Sequence, residues 1–326
     1  MPLLILGVVT VAFLLGNIVK GDPLASILNE RQMDNPAVVA SAKARWGLDK
    51  PLAERYVVYV SNLATGDFGT SFRTKRPVAR DLVERLGATM ELVVTAMVFG
   101  TIFGIGLGVL AAYNANRPID HAARLVALFG SSVPVFWSGL IALYLFSVQF
   151  PILPGPGRLD AALARPEAIT GFYTIDAAIT GNWPVFWNAL KHLVLPSIML
   201  GWAVLGIISR MIRASMLDVM NQDFIITAKA KGAAPMRILF RHALRNALVP
   251  ALTIIGFSFA YLITGAILTE TVFSWPGIGS YAVDAARSLD HPAIIGVTIV
   301  GAMAFLFANL LTDIAYVFAN PRITLE

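Results

Sequence analysis

The chain has 326 residues, 57% of them apolar, and Lys plus Arg outnumber Asp plus Glu by 25 to 20, for a formal charge of +5. A mean hydropathy of +0.70 is too high for a soluble domain, so the basic excess bears on membrane sidedness and does not point to nucleic acid. The lack of cysteine excludes a disulfide framework, a thiolate nucleophile and a cysteine metal site.

Apolar runs able to cross about 30 Å of hydrocarbon lie at 3–19, 90–112, 125–150, 193–212, 248–268 and 294–318. They predict an all-α integral membrane protein with about six transmembrane helices. No basic residue precedes the first run, and Asn17-Ile-Val-Lys-Gly-Asp lacks a small-x-small cleavage pattern, so a retained span is expected there. The segment from 20 to about 85 is long and balanced in charge. It holds helix-like stretches at 36–46 and 51–64, punctuated by Gly47 and by Gly66-Asp-Phe-Gly69, and reads as a small ordered cap.

The second span carries Gly100, Gly104 and Gly108 on one helix face, which predicts close helix packing. In the third, Pro134 predicts a kink, with Ser131 and Ser132 placed to satisfy the freed carbonyl. Phe136 and Trp137 flank it, and these five residues are candidates for lining a pathway. The following loop opens with Pro151-Ile-Leu-Pro-Gly-Pro-Gly157, which imposes turns.

Between spans four and five lies Asp223 to Pro250, a basic segment with two short helices written into it. Asp223 is placed to cap the first, Lys229 and Lys231 suit the negative end of its dipole, and Gly232 can take the left-handed conformation that ends it. Pro235 suits the first turn of the second. There Met236, Leu239, Phe240, Ala243, Leu244 and Ala247 form an apolar stripe opposite Arg237, Arg241 and Arg245.

With Arg210 and Arg213 this segment holds most of the loop charge; the loop after span three has Arg158, Arg165 and Lys191, and the loop before span six has Arg287. The positive-inside rule therefore puts the elbow in the cytoplasm, and an even span count puts both termini there too. Glu91 and Glu270 are expected near the outer interface, and Asn309 and Asp313 on one face near the inner end of span six.

No phosphate-binding Gly-x-x-x-x-Gly-Lys-Ser/Thr loop, His-Glu-x-x-His or Gly-x-Ser-x-Gly is present, and the chain reads as no enzyme, with no cofactor or metal of its own. Three readings stay open on these residues: a subunit of an ATP-coupled importer, an ion-coupled secondary transporter of small solutes, and an intramembrane enzyme.

The elbow resembles the EAA loop of binding-protein-dependent ABC permeases, with Thr227-Ala-Lys-Ala-Lys-Gly232 in the form of the dipeptide/oligopeptide/nickel branch. Gly21-Asp-Pro23, Gly47-Leu-Asp-Lys-Pro51, Gly66-Asp-Phe-Gly-Thr-Ser71, His242 to Pro250, Glu270-Thr-Val-Phe-Ser-Trp-Pro-Gly-Ile-Gly279 and Asn320-Pro-Arg322 look like that branch's B-type subunit. Ile226 stands where the glutamate that names the loop is usual, Arg245 where many permeases have proline, and the amino terminus lacks a short basic stretch.

The resemblance implies a type I ABC importer permease fold. It divides the chain into a first helix plus cap (1–87), a permease core (88–319) and a cytoplasmic tail (320–326). It further implies a bacterial or archaeal inner-membrane location, import of di- or oligopeptides, and four kinds of contact: a homologous second permease, two ATPase subunits carrying ATP and Mg, an extracytoplasmic solute-binding protein, and the lipid bilayer. Coupling to the ATPases is expected through Asp223, Thr227, Ala228, Lys229, Ala230, Lys231, Gly232, Pro235, Arg237 and Arg241.

Overall fold

The structure, a computed structural model, describes residues 2–18, 33–46 and 50–319. Gly21-Asp-Pro23, residues 47–49, and the tail 320–326 with its Asn-Pro-Arg lie outside the described residues. Among the described residues no strand forms, and one isolated bridge pairs Thr70 with Pro77. The helices are α1 (Pro2–Ile18), α2 (Pro36–Trp46), α3 (Leu52–Ala64), α4 (Val78–Tyr113), α5 (Pro118–Ser132), α6 (Val135–Leu143), α7 (Tyr173–Ile179), α8 (Trp183–Met220), α9 (Asp223–Ala230), α10 (Pro235–Arg237), α11 (Leu244–Val272), α12 (Ile278–Arg287) and α13 (His291–Ala319). Wider π turns extend α6 over Tyr144–Gln149 and join α10 to α11 over Ile238–Ala243.

Among the described residues, four stretches are long and apolar enough to cross a bilayer unbroken: α4, α8, Pro235–Val272 and His291–Leu310. The pair Pro118–Ser132 and Val135–Gln149 is long and apolar enough only when taken together, and it is bent by 102°. The expected kink at Pro134 is therefore a full break. Val133, the residue before proline, is driven into an extended conformation (φ −85°, ψ 131°), and Pro134 opens α6 from outside it. α1, with 17 residues, lies at the short end of spanning length, about 17–25 residues.

The chain packs as two units, residues 1–89 with 276–306 and residues 90–275 with 307–326. In the first, Phe13 of α1 meets Tyr56 of α3 edge-on at 5.3 Å, and Val9 packs with Tyr59, Leu63, Ile295 and Ile299. Gly66 and Gly69 turn the chain at φ of 80° and 81°. The turn that follows is held by carboxylates. Asp290 accepts from the Ser71 hydroxyl and the Arg73 amide, and Asp81 accepts from Thr74 and Tyr281. Beneath it Val78, Leu82, Tyr281, Ala285 and Ala293 form an apolar core.

The second unit is organised around α8. Of its most apolar stretch 78% is buried, against 28–39% for the other long apolar helices, so α8 is the most buried of them. It packs against α5, α6, α7 and α11. Lipid tails offer little hydrophobic drive between helices, so close approach and polar contacts decide such packing.

Glycines supply the close approach. A Cβ on Gly100 would lie 2.8 Å from the Gly201 carbonyl, one on Gly104 3.0 Å from Ile208 Cβ, and one on Gly108 2.7 Å from the Ser209 carbonyl. The α4 glycine face thus lies against α8. In α8 itself, a Cβ on Gly206 would sit 2.3 Å from the Ala127 carbonyl of α5.

Candidate coupling elbow and its supports

α8 runs through Asn221 and Gln222 directly into α9. Gln222, with extended backbone, is the residue that caps α9, and its side chain makes no capping bond; Asp223 is the first helical residue, not the cap expected from the sequence. Its carboxylate still lies in the first turn, where the helix dipole favours an anion, and Lys229 lies in the last, where a cation is favoured.

The end of α9 is a Schellman turn. Ala233 N–H donates to Ala228 O at 3.1 Å and Gly232 N–H to Lys229 O at 2.9 Å, around Lys231 as the last cap residue. Gly232 has φ 75° and open space around its α-carbon, so it is needed for backbone conformation and not for packing. Pro235 then begins α10.

The apolar stripe differs in part from the expected one. Ile238, Leu239, Ala243 and Ala247 are buried, whereas Met236 and Phe240 are 58% and 55% exposed. Phe240 lies within the π turn over Ile238–Ala243 and Met236 just before it, and the wider winding of that turn departs from the regular helical spacing that the stripe assumes. With Ile226 (57% exposed), Met236 and Phe240 leave the elbow an exposed apolar surface among Lys229, Lys231, Arg237 and Arg241. Ile225 is fully buried and anchors α9. A cavity of about 320 Å³ lies beside it, lined by Tyr113, Met220, Lys229, Ala233, Pro235, Ile238 and Leu239.

Beneath the elbow, α5 and α8 share polar contacts. Arg213 donates from Nε to Asp120 Oδ1 and from Nη2 to Asp120 Oδ2, both at 2.7 Å, and Asp120 is fully buried. Asp120 also accepts from the Asn116 amide at 2.8 Å, and Arg124 approaches it at 3.3 Å. Arg210 donates to Ser131 Oγ at 2.9 Å, and Trp202 donates to the Val126 carbonyl at 3.2 Å.

Of the five candidate pathway residues, Ser131 is thus engaged with α8 and also donates to the Ala127 and Leu128 carbonyls. Pro134 sits at the break after Ser132, and Phe136 and Trp137 are 44% and 51% exposed on α6.

At the opposite end of this unit the loop after α6 is fastened by buried charge. Arg158 donates to Glu91 and to the Gly171 carbonyl, stacks 3.7 Å over Tyr173 and reaches Trp275 at 5.3 Å. Glu91 also accepts from the Thr174 amide and hydroxyl. Asp176 accepts from Thr170 and Gly171, and Asp160 meets Asn188 and His192. Glu91 and Glu270 are both buried, and the Asp313 side chain lies outside the described residues.

Sequence reasoning passed over Asp120, Arg213 and Arg158 as members of pairs. The available signal was the cost of charge at membrane depth, which requires a partner for each. The identity of that partner depends on contacts across 93 residues for Asp120 with Arg213 and 67 for Glu91 with Arg158.

Several long apolar helices, one of them deeply buried and leading into a structured basic elbow, define a polytopic membrane protein. Residues 104–325 match the family described as binding-protein-dependent transport system inner membrane component. The chain is 42% identical over 321 residues to the probable D,D-dipeptide transport system permease protein DdpB of Escherichia coli, covering 98% of this chain and 94% of that one. It is 43% identical over 317 residues to the di/tripeptide transport system permease protein DppB of Pseudomonas aeruginosa, covering 97% and 94%. In fold it resembles the inward-facing MetNI methionine ABC transporter, with a TM-score of 0.53 at 16% identity over 73% of this chain and 96% of that one. The chain belongs to the binding-protein-dependent inner-membrane component family, and its fold is that of a type I ABC importer permease.

Proposed function

We propose that this chain is a permease subunit of an ATP-driven ABC importer of di- or oligopeptides. The observation that carries the peptide reading is similarity along nearly the whole chain to permeases named for dipeptide and di/tripeptide transport. In this reading the subunit is not itself catalytic. ATP and Mg belong to two ATPase subunits, a homologous permease completes the pathway, and a solute-binding protein delivers the peptide from outside. The elbow and both termini face the cytoplasm, residues 1–87 form the first span and outer cap, 88–319 the core and 320–326 a cytoplasmic tail.

The elbow suits transmission because α9 continues from α8 across two residues and ends in a turn of defined geometry. Its exposed apolar residues among bases form a surface that a partner would cover. The ion-coupled alternative is not favoured by these relatives.

The test is uptake of labelled dipeptide into liposomes holding the full complex with its binding protein. Uptake should require ATP and the binding protein and survive an ionophore. Uptake without ATP that an ionophore abolishes would establish the ion-coupled alternative. In the same system Gly232→Val, which forces a β-branched residue to φ 75° at a cost of about 1–3 kcal/mol, should lower uptake and substrate-stimulated ATPase activity more than assembly.

A further inference from the structure

We propose that the buried Asp120–Arg213 pair is a positioning strut that makes α5 and α8 one lever, so that displacement of α9 moves α5 and the corner at Pro134. The inference rests on the reading of the elbow as the ATPase contact.

The geometry of the pair is the first support. Asp120 is fully buried and both of its oxygens take an Arg213 donor at 2.7 Å. Two parallel bonds between planar groups fix angle as well as distance, which a single-point contact does not. The carboxylate is held from its own side by the Asn116 amide and by Arg124, so it cannot turn to follow an independently moving arginine.

A buried ion pair is a poor choice for stability alone. Desolvating two charges offsets most of their attraction, and an apolar pair of similar volume often packs as well. What the pair adds over an apolar contact is a defined register between two helices.

The position of the pair is the second support. Arg213 lies about two turns before the end of α8 at Met220, and α9 begins at Asp223. Further along the same interface come Arg210 with Ser131, the close approach of Gly206 to the Ala127 carbonyl, and Trp202 on the Val126 carbonyl. A Cβ on Gly130 would lie 1.8 Å from the Trp202 indole, so the two helices meet closely at that height as well. α5 then stops at Ser132, and the chain turns through 102° into α6, with Phe136 and Trp137 exposed just past the corner. A locked interface ending in a proline break places the compliant point at Val133 and Pro134, away from the elbow.

The test uses the full complex in liposomes and reads peptide taken up per ATP hydrolysed, together with assembly and thermal stability. Asp120→Leu with Arg213→Met replaces the pair by an apolar contact, and Arg213→Lys keeps the charge but loses the two-point fork. The apolar pair is expected to assemble at least as stably as the parent and to import about five-fold or more less peptide per ATP. Arg213→Lys should show the same loss in smaller measure. A purely structural pair would change stability or yield and leave peptide per ATP untouched, and that result in either variant overturns the strut. Loss of ATP dependence in the parental complex would instead sink the importer reading itself, so the two failures are distinguishable.

Discussion

Asp176 is a buried carboxylate kept charged by hydrogen-bond donors and not by a countercharge. Burial alone would push its carboxyl up, but the Thr170 hydroxyl and amide, each at 2.7 Å, and the Gly171 amide at 3.0 Å outweigh that and hold it below the ordinary carboxylate range. A folded-state value below the unfolded one gives stability that is present above the unfolded value, about 3.9, and lost as pH falls through the folded one. Asp176→Asn turns an amide group toward backbone N–H donors and removes the charge. The melting temperature of the purified complex should therefore differ most between parent and variant near pH 7, and the gap should narrow as pH falls below about 4. A gap independent of pH would mean that the charge of Asp176 contributes nothing and that only its shape matters.

At the scale of elements, the α4 glycines can be separated by what faces them. Gly104 meets Ile208 Cβ at 3.0 Å and the Leu205 carbonyl at 3.1 Å, whereas a Cβ on Gly106 would meet nothing within 4 Å. Gly104→Leu should force α4 away from α8 and lower recovery of folded subunit, while Gly106→Leu, with the same loss of backbone freedom and gain in volume, should be milder. Equal recovery would show that this seam tolerates separation.

The three-residue glycine face was legible as a periodicity, because spacing by four fixes a face without any knowledge of the partner. That the partner is α8 was not legible, since Gly201, Leu205, Ile208 and Ser209 match the α4 face only once the fold has brought the helices together. The same holds for the elbow. Gly232 and Pro235 are local signals and mark the turn, whereas the π turn over Ile238–Ala243, around which Met236 and Phe240 are exposed, has no local signature in a run that reads as ordinary helix.

For the whole molecule, hydropathy located the long apolar helices of the second, fourth, fifth and sixth runs because bilayer thickness imposes a length that a single sequence reveals. It could not show that the third is two helices at 102°, because composition is blind to bending and only the residue before Pro134 carries the constraint. Orientation rests on the distribution of Lys and Arg, with Lys229, Lys231, Arg237, Arg241 and Arg245 at the elbow against Arg158 and Arg165 in the loop after α6. The chain is free of cysteine, so single cysteines can report sidedness without background. Ala234 and Ala168 are both exposed and lie on these two segments, clear of the buried pairs. With Ala234→Cys, a membrane-impermeant maleimide should label inverted vesicles stripped of peripheral subunits and fail to label right-side-out ones. With Ala168→Cys the pattern should be the reverse. Labelling of both positions from one side would require an even number of crossings between them, not the single crossing of α8, and overturn the topology; a clean inversion of both patterns would keep the crossings but place the elbow outside, where no ATPase could reach it.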